Sequence, residues 1–237
     1  MKTYRMNAVI AGVLYFLGTV FGILSAVIGG EVLSSLNVGK PLVGVDMLGL
    51  VATNSSRITG GAFLILMMGI SLVAMTIFLY PIFRKDSEEL AMGMVLFRGA
   101  LEGTGNIISV ILWVLLAALS KEFAGTDSAT LHTVGNLVLE VSNKNGDILT
   151  VFFIIGALCL YTSFYRTRLI PRWLTLWGFI GAVPYLVYGL MSLFNIDGTN
   201  LGFLQLPLFL QELAMGLWLV VKGFNPSAIA ALSAKTE

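Results

Sequence analysis

Three ionisable residues stand inside long apolar runs and carry most of the chemical information in the chain: Arg98, Glu102 and Glu212. Arg98 and Glu102 are four positions apart, so on a helix they share a face and can pair, and Asn106 extends that face by another turn. Glu212 has Gln211 beside it and Gln205 nearer the start of its run. It precedes Lys222 by ten residues, a depth of about 15 Å at the helical rise. Glu102 is expected at a comparable depth. A charge at the centre of a membrane helix costs roughly 2.5–3.5 kcal/mol on insertion scales. All three groups are therefore expected to face the interior of a helical bundle and to meet there.

One guanidinium against two carboxylates leaves a negative charge uncompensated. Burial disfavours a charged carboxylate, so a proton, a bound cation or a polar ligand headgroup is expected to balance the cluster. Two other readings compete with a ligand or ion site. In one, the ion pair only fixes helix packing, as in an accessory subunit of a membrane complex. In the other, Glu102 or Glu212 is the acid or base of a lipid-modifying enzyme. The expectation drawn here leans away from an enzyme.

Other candidate chemistry is sparse. The chain has one histidine, His132, in a polar connection, and one cysteine, Cys159, in an apolar run. A single thiol excludes an internal disulfide and a multi-cysteine metal site, and zinc, haem and iron–sulfur readings lack ligands. No catalytic residue, cofactor or metal is therefore expected. No intramembrane histidine is present to activate a nucleophile, and no glycine loop is arranged to cradle phosphate. Asn54-Ser55-Ser56 matches a glycosylation sequon, relevant only in a glycosylating host. Met67, Met68, Met92 and Met94 read as lipid-facing or packing residues. A net charge of +1 offers no basic stripe for nucleic acid.

The elements that must position the cluster follow from composition. Of 237 residues, 57% are hydrophobic and 11% charged, against about a quarter charged in soluble domains. The apolar segments are 8–28, 61–82, 91–119, 148–165, 173–194 and 201–221. Each reaches or approaches the roughly 20 residues that cross about 30 Å of hydrocarbon. Continuous rather than alternating hydrophobicity selects helices over a barrel. The expected fold is an all-α, polytopic bundle of six transmembrane helices forming a single domain, 1–237. Lys2 and Arg5 before the run from Ala8 to Ile28 resemble a signal peptide, but the run exceeds the usual core of about 7–15 residues. It reads as an uncleaved first span.

Orientation follows from the cations. With the N-terminus inside, Lys2, Arg5, Arg84, Lys85, Arg166, Arg168, Arg172, Lys222 and Lys235 lie on the inner face, and Lys40, Arg57, Lys121 and Lys144 on the outer. That asymmetry predicts both termini in the cytoplasm. Asp147, after Asn145-Gly146, is expected to cap the fourth helix. Gly223 and Pro226 are expected to end the sixth, and Pro184 to kink the fifth. Leu131, Val134, Val138 and Val141 have helical spacing within Ser128–Val141, predicting a short amphipathic helix. Pro41–Val51 is a glycine-broken counterpart that could be re-entrant. Gly12, Gly18 and Gly22 in the first span, and Gly99, Gly103 and Gly105 in the third, read as close-packing positions.

Several short stretches, taken together, resemble a prokaryotic six-span membrane family catalogued as domain of unknown function 4386. They are Ala11-Gly12-Val13-Leu14-Tyr15, Leu169-Ile170-Pro171-Arg172-Trp173-Leu174, and Glu212 through Leu217-Trp218-Leu219 to Val221-Lys222-Gly223. Arg98 fits the same pattern. The resemblance implies a multi-pass protein of the cytoplasmic membrane of a bacterium or archaeon, with no established activity. Where the family pattern carries a histidine ahead of the fourth helix, this chain has Asn145-Gly146-Asp147. The leading expectation is a non-enzymatic binding, sensing or transport-related bundle, with its polar site at Arg98, Glu102, Asn106 and Glu212. The expected partners are the lipid bilayer and a small polar ligand, proton or cation, or else another membrane protein.

Overall fold

The computed structural model describes residues 2–33, 47–123, 129–198 and 200–234. Among them the regular structure is entirely helical. Helix α1 (Lys2–Ser25) continues through a π-helical segment, Ala26–Gly30, and α2 (Met47–Thr53) and α3 (Ser55–Phe83) follow. Helix α4 begins as Glu88–Met94, passes through a π-helical segment at Val95–Leu101 and continues as Glu102–Phe123. After α5 (Ala129–Thr167) and α6 (Arg172–Leu193), a 3₁₀ turn at Gly202–Gln205 leads into α7 (Leu206–Val221), and α8 (Pro226–Ala234) closes the order.

Among the described residues, six stretches are long and apolar enough to span a bilayer: Tyr4–Leu33, Ser55–Phe83, Glu88–Glu122, Ala129–Thr167, Arg172–Leu193 and Gly202–Val221. Each overlaps one of the six apolar segments of the sequence. The chain is an all-α, multi-pass membrane protein with six spanning helices. Its outward side chains agree with that solvent. Phe63, Ile70 and Ile77 form an exposed stripe on α3, as do Leu176, Ile180, Val183 and Val187 on α6 and Leu206, Leu210, Leu217 and Val221 on α7. Such stripes would be unfavourable in water but match acyl chains.

Packing divides the chain into two compact units, Met1–Thr19 with Gly69–Thr104 and Asp147–Glu237, and Val20–Met68 with Gly105–Gly146. The second unit has a core of Val32, Leu33, Met47, Leu48, Val51, Ile58, Leu116, Ala117 and Leu139. Trp113 Nε1 donates to Ser142 Oγ at 3.1 Å beside it. The first unit holds the charged cluster. Glycines permit its close approaches: a methyl group on Gly12 would stand 2.7 Å from Leu219 Cβ, and one on Gly103 2.8 Å from Val73 Cγ2.

Two expectations are corrected. The amphipathic segment is not a separate helix, since residues 129–141 are the first turns of α5, which runs unbroken to Thr167. At 39 residues and about 1.5 Å each it is far longer than the hydrocarbon is thick. Asp147 consequently lies inside a helix and is not its N-cap. Asn145, expected to precede the helix, instead donates Nδ2 to Gly105 O at 2.9 Å and to Ser109 Oγ at 2.8 Å. Tertiary hydrogen bonds there replace the turn that Asn145-Gly146 favours locally.

Of the other segment, residues 41–46 lie outside the described residues, and Met47–Thr53 is helix α2, packed into the second unit's core. Gly223 does end α7, with φ of +72°, whereas Pro226 opens α8 as its first residue, where a missing N–H is harmless. The capping residue ahead of α4 is Ser87, whose hydroxyl accepts from Leu90 N at 3.2 Å.

Candidate functional site

Arg98 sits in the middle of the π-helical segment of α4. A π segment widens the turn and shifts the register of the side chains that follow, and such bulges recur at functional sites. Neighbouring helices press on this backbone. A methyl group on Gly156 of α5 would fall 2.6 Å from Arg98 N and 2.8 Å from Arg98 Cβ, and one on Gly99 would fall 3.0 Å from Thr76 Oγ1 of α3. Arg98 is thereby held with 1% exposure, the largest fully buried side chain among the described residues.

Its guanidinium joins the two glutamates predicted for it. Nη2 donates to Glu212 Oε1 of α7 at 2.7 Å. Nη1 lies 3.3 Å from Glu102 Oε2, one helical turn away on α4. The same Glu212 oxygen accepts a hydrogen bond from the Tyr15 hydroxyl of α1 at 2.8 Å. Two rings flank the cation: the guanidinium carbon is 4.3 Å from the Phe153 centroid and 5.4 Å from that of Tyr15. Phe153 in turn meets the edge of Tyr185, with centroids 5.1 Å apart. The aromatic faces stabilise the charge by cation–π attraction.

A neutral network adjoins these charges. Gln211 is fully buried, accepts from the Tyr161 hydroxyl at 3.1 Å and donates Nε2 to Leu174 O at 3.1 Å. The carbonyl of Leu174 so gains a partner from a side chain of α7, which ties α5, α6 and α7 at one level.

Three of the four predicted site residues are therefore directly linked. Asn106 is buried, as its position on the helix requires, and its Nδ2 has no hydrogen-bond partner among the described residues. Arg98 Nε and Glu102 Oε2 are likewise buried without a hydrogen bond of good geometry, although Glu102 remains ion-paired. Buried polar atoms in this condition are few in folded proteins. Access is unequal: the Glu212 side chain is 13% exposed, against 2% for Arg98 and 5% for Glu102. The cavities at the ends of α5 and α7 are not lined by the cluster.

Tyr15, Phe153, Tyr161 and Tyr185 escaped sequence reasoning because aromatic residues in apolar runs have many other uses. Only the demand that buried charges be surrounded by donors and π faces could have pointed to them. Gln205 lies in the 3₁₀ turn before α7, and His132 is half-buried on α5. Among the described residues, no group of three or more His, Cys, Asp or Glu is gathered as metal ligands would be.

No curated protein and no solved structure matches the chain. A family model described as Domain of unknown function (DUF4386) matches residues 10–223, a stretch that contains all the spanning helices' apolar centres and every residue of the charged cluster. The chain belongs to the DUF4386 family.

Proposed function

We propose that this protein is a non-enzymatic, sensing or transport-related helical bundle whose Arg98–Glu102–Glu212 cluster takes up one balancing positive charge, a proton or a small cation. The observation that carries the reading is the buried charge count. One guanidinium serves two carboxylates, and Glu102 Oε2 is fully buried without a hydrogen bond of good geometry among the described residues. In a low-dielectric interior an uncompensated charge is costly enough to recruit a counter-charge. Glu212, the most accessible member, is the point of exchange with the surroundings. The excess of Lys and Arg on the connections that face the termini supports a cytoplasmic-membrane protein with both ends inside.

The test uses the full chain in zwitterionic nanodiscs. Acid–base titration of the wild type should consume about one more proton per chain than Glu102→Gln, or else sodium or potassium should raise its melting temperature and leave that variant unmoved. Identical titration and identical cation response in the two proteins would refute the reading.

A second reading is favoured by one specific observation. Both ion pairs are direct and Arg98 is enclosed between Phe153 and Tyr15, as in an architectural clamp between α1, α4 and α7. The exchange Arg98→Glu with Glu212→Arg separates the two, because a clamp tolerates reversal of the pair whereas an ion site depends on which helix carries the carboxylates.

A further inference from the structure

A different region of the same unit carries a second site. The turn from α5 to α6 places Arg168 at φ of +56°, a left-handed conformation that glycine adopts freely and a long side chain does not. Leu169 and Ile170 are buried beneath it, and Leu169 O accepts from Asn225 N at 2.8 Å, which fastens the turn to the segment after α7. That segment turns back at Gly223, whose N–H donates to Trp218 O at 3.1 Å. Between the two turns lies a cavity of about 470 Å³ lined by Arg168, Arg172, Lys222, Trp218 and Asn225, among others. Three of its lining residues are cationic, and no carboxylate is found among the described residues that line it.

The surroundings reinforce the positive potential. Asp86, which lines an adjoining cavity shared with Arg168, is ion-paired with Arg166 at 2.9 Å. The Arg172 guanidinium is stacked on Tyr165, 4.6 Å from its centroid, and so is held in orientation. Helix α6 begins at Arg172, so the positive end of its dipole adds to the potential. Trp218 belongs to an indole cluster: Trp173 meets its ring at 6.2 Å and stacks on Trp177 at 6.4 Å. Tryptophans gather at the headgroup level of a bilayer, which sets the depth of the cavity.

We infer that this cavity binds a phosphate group, presented by the headgroup of an anionic phospholipid. Basic recesses between membrane helices suit such headgroups, and arginine forks match phosphate oxygens in a bidentate way. The strained backbone of Arg168 is then retained for its side chain, since glycine would form the turn more easily. This inference is independent of the Arg98 cluster.

The experiment compares the full chain in phosphatidylcholine nanodiscs with and without phosphatidylglycerol, reading melting temperature and the phosphatidylglycerol retained in native mass spectrometry. The combined Arg168→Gly, Arg172→Gln, Lys222→Gln protein should retain phosphatidylglycerol roughly tenfold or more weakly than the wild type. A charge-retaining control, Arg168→Lys with Arg172→Lys and Lys222→Arg, should keep most of it. Arg168→Gly alone should melt above the wild type without phosphatidylglycerol and bind it less well, a combination that a purely structural arginine would not give. In a further arm, inorganic phosphate is added to phosphatidylcholine discs. Stabilisation there, lost in the neutral variant, would preserve the phosphate site and overturn the lipid as its source. Equal phosphatidylglycerol retention by the wild type and the neutral triple variant would overturn the inference.

Discussion

Replacing Arg98 by glutamine removes the cation that the buried Glu102 and the partly buried Glu212 share. Glu212 loses a 2.7 Å hydrogen bond and Glu102 its 3.3 Å ion pair, while Glu212 keeps the Tyr15 hydroxyl in compensation. Breaking a buried pair by deleting one partner costs about 3–5 kcal/mol, most of it from the charge left behind. Loss of the two ring contacts adds about 0.5–2 kcal/mol. At roughly 2–4 °C per kcal/mol for a chain of this size, the melting temperature of Arg98→Gln should fall by on the order of 10 °C, read by tryptophan fluorescence in nanodiscs. The combination Arg98→Gln, Glu102→Gln, Glu212→Gln should recover most of the loss, to within about 2 kcal/mol of the wild type, because no unpaired charge remains. A triple variant as unstable as the single one, or a single variant that melts like the wild type, would refute the reasoning.

Three further outcomes follow from neighbouring contacts. Tyr15→Phe removes one donor to a charged acceptor and should cost about 1.5–3 kcal/mol in the same melting assay, with the fold retained by circular dichroism. Gly156→Ala should cost about 1–3 kcal/mol, because the new methyl would strike the Arg98 backbone, whereas Gly146→Ala, with nothing within 4 Å of its added carbon, should be neutral or stabilise α5 by up to about 1 kcal/mol. Equal effects of these two would show that helix propensity and not packing governs them. Gly223→Ala combines a φ of +72° with a collision against the Arg5 guanidinium, and it should destabilise by about 1–3 kcal/mol, seen as a lowered melting temperature.

Hydrocarbon as solvent made much of this protein legible in one dimension. Burial of charge in lipid is so costly that Arg98, Glu102 and Glu212 had to meet, and the four-residue spacing of the first two placed them on one face before any contact was known. The six apolar segments announced six spanning helices, because a backbone in hydrocarbon has no other way to satisfy its own hydrogen bonds. Gly223 was equally readable as a helix end, since only its own φ decided it.

Other features depended on partners distant in sequence. Asn145-Gly146-Asp147 has the local character of a helix start, and α5 runs through it because Asn145 finds Gly105 and Ser109 on α4. The π segment at Val95–Leu101 leaves no compositional mark, and Gly156 makes room for it from another helix. Which aromatic rings would enclose Arg98, and that Arg168, Arg172 and Lys222 would open on one cavity, rested on packing between helices. Sequence determines which groups lipid will not accept, whereas tertiary structure decides which neighbours receive them, because that depends on distances between segments far apart along the chain.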